Sequence, residues 1–95
     1  MAKNTCKSVI QYQSEADWTK ESFWTAREEF ARGLSQQGKS EYYPNTVVDI
    51  NATKVGIRYW IDHAAAQEFI DWIVANAPTY GVSIQSTSIE DLPAS

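Results

Sequence analysis

The 95-residue chain carries one cysteine, one histidine, three prolines and four glycines, and each scarcity excludes something. A single thiol, Cys6, cannot close an internal disulfide, which excludes a small secreted scaffold stapled by bridges. His63, alone and far along the chain from Cys6, cannot complete a tetrahedral zinc site, so no metal is expected. The four glycines are scattered and form no Gly-x-Gly-x-x-Gly or phosphate-loop pattern, and no cofactor is expected. No apolar run approaches the ~20 residues that a membrane-spanning helix needs. Met1 to Lys7 contains no apolar core of a signal peptide, so the expected location is the cytoplasm. Positive charge is scarce too. Eight Lys and Arg stand against twelve Asp and Glu, a formal net charge of −4. The basic residues are dispersed, and neither nucleic acid nor an anionic membrane is expected as a partner.

What remains is an ordinary folding composition: 43% hydrophobic, 13% aromatic and 21% charged. That excludes a disordered tail and fits one small domain over residues 1–95, with an ordered core from about Ser8 to Ile89.

Periodicity places the elements. Lys7 to Gln13 alternates well enough for a short strand with Ile10 and Tyr12 on one face. Ser14, followed by Asp17, reads as a helix cap. Ala16, Phe23, Ala26, Phe30 and Leu34 then fall on one side of a helix ending near residues 34 to 37, with Glu21, Glu28 and Arg32 on the other. A second strand runs from Thr46 to Ile50, a turn follows at Asn51 to Lys54, and a third strand covers Val55 to Ile61. Facing Ile50 with Val55 and Val48 with Ile57 puts the apolar partners on one side, whereas a slip of one residue buries Asp49 and Arg58. Asp62 caps a second helix, His63 to about Ala77, with Ala66, Phe69, Ile70, Ile73 and Ala77 as its stripe and Pro78 as its stop. Val82 to Ser86 is the last strand.

This order predicts an α+β, ferredoxin-like βαββαβ sandwich: a four-stranded antiparallel sheet with both helices on one face and strand order 4-1-3-2. Ile10, Tyr12, Val48, Ile50, Ile57, Tyr59, Val82 and Ile84 are expected to face the helices. The core is expected to join Phe23, Phe30, Leu34, Phe69, Ile70 and Ile73 to Ile10, Ile50, Ile57 and Ile84. The open face then holds Val9, Gln11, Gln13, Asp49, Gly56, Arg58, Trp60, Ser83 and Gln85.

Candidate contacts follow from that assignment. Arg58 and Trp60 offer a guanidinium fork and a stacking surface, with Gln11, Asp49 and Gln85 beside them as ligand or partner contacts. Trp18, away from the helical stripe, marks a possible second surface. RNA-recognition domains share the topology, but Lys54 to Ile61 lacks the aromatic positions of their third-strand signature. No catalytic residue is expected: Cys6 sits near a terminus expected to fray, Asp62 beside His63 is first a cap, and Glu28 and Glu29 point apart.

The element order from about Ser8 to Ser86 resembles, at the level of fold, the dimeric α/β-barrel proteins, in which two chains set their open sheet faces together. Some of those are small monooxygenases or haem-degrading enzymes. The resemblance implies a homodimer and carries over no catalytic residue. The expected function is therefore a non-catalytic accessory or interaction domain, a homodimer formed through the open sheet face or the last, edge strand, with Trp60 at the contact and a further protein partner as an option. The alternative is a small-ligand-binding protein or enzyme of that barrel type, with its site on the sheet face.

Overall fold

A computed structural model describes residues 3–14, 16–17, 20–41, 48–51 and 55–93, with the side chains of 48–51 left out of the description. Strand β1, Cys6–Tyr12, alternates strictly between buried and half-buried residues, as a strand covered on one face should. Helix α1, Glu21–Gln36, buries Phe23, Arg27, Ala31 and Leu34 at helical spacing. It ends in a Schellman turn: Gly38 takes φ 84°, its N–H reaches Ser35 O at 3.0 Å, and Lys39 N–H reaches Leu34 O at 3.1 Å. Strands β2, Val48–Asn51, and β3, Val55–Trp60, follow. Helix α2, His63–Asn76, is capped by Asp62, whose carboxylate accepts the Ala65 N–H at 2.8 Å. A 3-10 turn, Ala77–Tyr80, contains Pro78 and passes through Gly81 at φ 71° into β4, Ile84–Asp91.

The sheet order is β2-β3-β1-β4, and every pairing is antiparallel. Cys6, Ser8, Ile10 and Tyr12 of β1 point toward the helices and are buried. Behind them pack Phe23, Leu34, Phe69, Ile70 and Ile73, with Phe30 and Ile84 partly buried at the margin. The aromatic rings run in sequence across this interface. Trp60 lies 5.1 Å from Phe69, Phe69 lies 6.4 Å from Phe30, and Phe30 stacks on Trp72 at 5.0 Å.

Four expectations need correction. First, the sheet is an unequal one and the ferredoxin-like four-stranded sandwich is not retained as its description. The fold is α+β with two helices; β3, β1 and β4 form the antiparallel body of the sheet, and β2 is a short strand of four residues at its edge beside β3. Second, the β2–β3 register is one residue away from the expected one: Val48 pairs with Arg58, Asp49 with Ile57 and Ile50 with Gly56. Val48 and Ile57 therefore occupy opposite-facing positions, and Ile57 and Tyr59 share the helix-free face with Val9 and Lys7, their respective partners on β1. Arg58 and Trp60 turn inward instead. Third, β4 begins at Ile84 and runs to Asp91, because Val82 belongs to the turn packed under α2 and a register shift opposite Gln11 and Tyr12 restarts the alternation. Fourth, Cys6 is no frayed residue. It opens β1 and is fully buried.

Ser14 Oγ accepts the Asp17 N–H at 3.3 Å, the local bond of a cap. The long helix, however, starts at Glu21, after Lys20 in an extended conformation with no side-chain cap.

Candidate functional site

Two arginines lie in the interior. Arg27 projects from α1 and is 1% exposed, while Arg58 projects from β3 and is 3% exposed. Burying a guanidinium requires a counter-charge and hydrogen bonds. Arg58 Nη2 donates to Glu28 Oε1, one residue along α1 from Arg27, and its guanidinium carbon lies 5.6 Å from the centre of the Phe69 ring. Arg27 Nη1 donates to the Tyr12 hydroxyl at 3.0 Å and sits within 5.0–5.7 Å of the Trp24, Phe23 and Tyr12 ring centres. Cation–π attraction thus surrounds a charge that the fold has taken out of water.

The same burial moves the titrations. Desolvation pushes Arg58 down to about 10, with the Glu28 carboxylate acting in the opposite direction and the Arg27 charge in the same one. Arg58 therefore remains cationic at neutral pH. Burial raises the Tyr12 hydroxyl, opposed by the charge and hydrogen bond of Arg27. Burial likewise raises the Cys6 thiol, which keeps it protonated and unreactive.

A narrow recess of about 10 Å³ opens between these groups, lined by Tyr12, Arg27, Arg58 and Phe69 with Ile10, Gly56 and Ile57. That is room for roughly one water. The lining offers two guanidiniums and a phenol, with the Glu28 carboxylate on Arg58, so the arrangement can hold a water among fixed charges.

Of the expected contact residues, the structure brings only two to one exposed place. Gln11, on the helix-free face, accepts a hydrogen bond from Ser86 Oγ at 3.4 Å, and Gln85 is exposed beside Ser86 on β4. Arg58 and Trp60 are corrected to the core. The Trp60 indole N–H donates to Ser8 Oγ at 2.9 Å, and its ring is fully buried against Phe69. Asp49 is paired through its backbone position with Ile57, but its side chain and the whole of Trp18 lie outside the described residues.

Sequence reasoning missed Arg27, Glu28 and Ser8. A signal for Arg27 exists, since residues 23, 27, 31 and 34 follow one helical stripe, and reading Arg27 as part of that stripe would have called for a buried partner. Nothing comparable marks Ser8.

Among the described residues no strand lies beyond the outer edge of β4. This strand ends the sheet, and its burial pattern leaves only Ile84 and Ile89 half-buried. At its far end, Asp91 pairs with His63 of α2. Among the described residues no group of three or more His, Cys, Asp or Glu could hold a metal ion, and no helix is long and apolar enough to cross a membrane. Comparison of the chain with protein-family models, curated proteins and solved structures found no match in any of the three.

Proposed function

We propose that this chain is a non-catalytic interaction domain of the cytoplasm that self-associates by adding the edge of β4 to a second copy. The observation that carries this reading is the edge strand itself: eight residues, mostly exposed, with neither lysine nor proline between Ile84 and Asp91. Natural sheets usually interrupt such edges with those residues, because an open row of N–H and C=O groups templates pairing. Within β4 the charged residues are confined to Glu90 and Asp91 at one end.

The open-face route to a dimer loses its motive, because Trp60 is buried within its own chain. The ligand-binding alternative draws on the arginine recess, but a space for one water is far below the ~300 Å³ and more typical of small-molecule pockets.

The test is light scattering at micromolar concentration on the unmodified chain and on Thr87→Pro. The ladder bond from Leu92 N–H to Thr5 O continues the stretch of β4 that pairs regularly with β1, and it fixes the alternation from Asp91 back to Ser86, before the register shift. It follows that Ser86, Ser88 and Glu90 direct their backbone groups to β1, and that Thr87, Ile89 and Asp91 direct theirs outward. Proline at residue 87 then removes an outward donor and spares the internal ladder. A dimer that Thr87→Pro converts to a folded monomer is the expected result. An unmodified chain that scatters as a monomer sinks the reading.

A further inference from the structure

We propose that two copies pair β4 with β4 antiparallel about a two-fold axis passing beside Ser88, extending the sheet continuously across both chains. The inference rests on the self-association reading above and goes further by fixing the register.

Symmetry restricts the choices. In a two-fold antiparallel pair, one residue must face its own copy. Centring on Glu90 or Asp91 sets two carboxylates against each other, which is destabilising directly across a ladder. Centring on Ile89 opposes Thr87 to Asp91, and brings Gln85 against Pro93, which has no N–H to give. Centring on Thr87 places the charge of Glu90 against Ile84, and Ile89 against Gln85, where the register with β1 shifts.

The Ser88 register avoids all of these. It uses the stretch from Ser86 to Asp91, whose pairing with β1 is regular. Thr87 meets Ile89 of the second copy, and the reciprocal contact repeats it. These are the residues whose backbone groups point outward, so each pairing exchanges two N–H···O=C bonds. Both are β-branched, a favourable cross-strand combination. They lie on the helix-covered side, opposite Ile10 and Ser8 of β1 respectively. On the other side Ser88 faces Ser88, and Ser86 faces Glu90, a hydroxyl donor against a carboxylate. Asp91 stands opposite Gln85. No like charges meet anywhere along the contact.

This register can be read directly by cysteine cross-linking. Ser88 directs its own backbone groups toward β1, so its contact across the axis is a non-hydrogen-bonded pair with Cα atoms about 4.5 Å apart, within disulfide reach. Ser86 would face Glu90 and has no copy of itself nearby. Both serines are exposed, so substitution leaves the core intact, and the buried Cys6 does not compete. Under mild oxidation with copper phenanthroline, Ser88→Cys should form a covalent dimer at least tenfold faster than Ser86→Cys. Light scattering on the same reduced samples separates the two levels of the argument. A dimer in which Cys at residue 88 stays reduced, or links no faster than at 86, overturns the register alone. A monomer overturns the register together with the self-association on which it depends.

Discussion

Glu28 on α1 and Arg58 on β3 form an ion pair that ties the helix layer to the sheet from inside, with the arginine side chain 4% exposed and the carboxylate side chain 29% exposed. The pair explains why the hairpin adopts a register that places a charged residue in the core. Arg58 turned inward also turns Trp60 inward, since residues two apart on a strand share a face. The large apolar surface of Trp60 then packs on Phe69 and its N–H is satisfied by Ser8. One ion pair and one filled tryptophan pocket together outweigh the tidier apolar pairing of Val48 with Ile57.

Glu28→Gln should therefore destabilise the fold although Glu28 itself is partly in water. Removing one partner from a fully buried pair costs about 3–5 kcal/mol, and the exposure of Glu28 lowers the expected loss to about 2–3 kcal/mol. Urea denaturation at pH 7 measures it. Arg58→Met in the Glu28→Gln background should recover part of the loss, because the buried charge is then gone. No recovery would show that the arginine is held by something other than this pair.

Trp60→Glu should unfold the chain rather than dissociate a dimer. Placing a carboxylate where a fully buried indole packs removes the aromatic contact and strands a charge in the core. The milder Trp60→Ala should cost about 3–5 kcal/mol, the range for deleting a large buried aromatic. By contrast Phe30→Ala should cost less than Phe69→Ala, since Phe30 is only partly buried and Phe69 is 2% exposed. Equal losses for the two phenylalanines would contradict the layering described here.

Cys6 should be silent toward a thiol reagent such as dithionitrobenzoate in the native protein and react once urea unfolds it. Its thiol is fully buried, and burial raises its pKa above the ordinary 9.0. The sign of the linkage follows. Above pH 9 the unfolded chain loses this proton before the folded chain does, so the stability contributed by the protonated buried thiol is present below pH 9 and declines as pH rises beyond it. Cys6→Ser should flatten that part of the alkaline decline. Rapid native-state labelling at pH 8 would place Cys6 at a mobile end instead of in β1.

The sequence disclosed both helices for local reasons and the cap of α2 with them, whereas α1 starts at Glu21 after an uncapped Lys20 and not at the cap expected from Ser14. Asp62 and Pro78 bracket α2 by chemistry that needs no tertiary partner, and the Phe23 to Leu34 spacing marks the buried side of α1. The face assignment of β3 was not legible in the same way. Val55 to Trp60 alternates Ile57 and Tyr59 against Arg58 and Trp60, and both sets contain a large residue able to fill a core. Which set turns inward depends on Glu28 and Ser8, respectively 30 and 50 positions from Arg58 along the chain, and no local pattern couples them. The candidate site followed the same fate: with the faces exchanged, Arg58 and Trp60 left the surface.

Two glycines should respond to alanine in opposite directions. Gly81 ends the 3-10 turn at φ 71°, a left-handed conformation that an L side chain adopts only at a cost. An added Cβ would meet Lys20 Nζ at 3.4 Å, an ordinary contact with a flexible side chain, so backbone strain is the whole penalty. Gly81→Ala should destabilise by about 1–2 kcal/mol. Gly33 lies inside α1, and a Cβ there would have nothing within 4 Å. Alanine restricts the unfolded backbone and favours helix, so Gly33→Ala should stabilise by about 0.5–1 kcal/mol. Thermal unfolding of the two variants beside the unmodified chain should move the midpoint down for Gly81→Ala and up for Gly33→Ala. A fall at both positions would mean that α1 needs glycine at residue 33 for close approach, contrary to the open space around it.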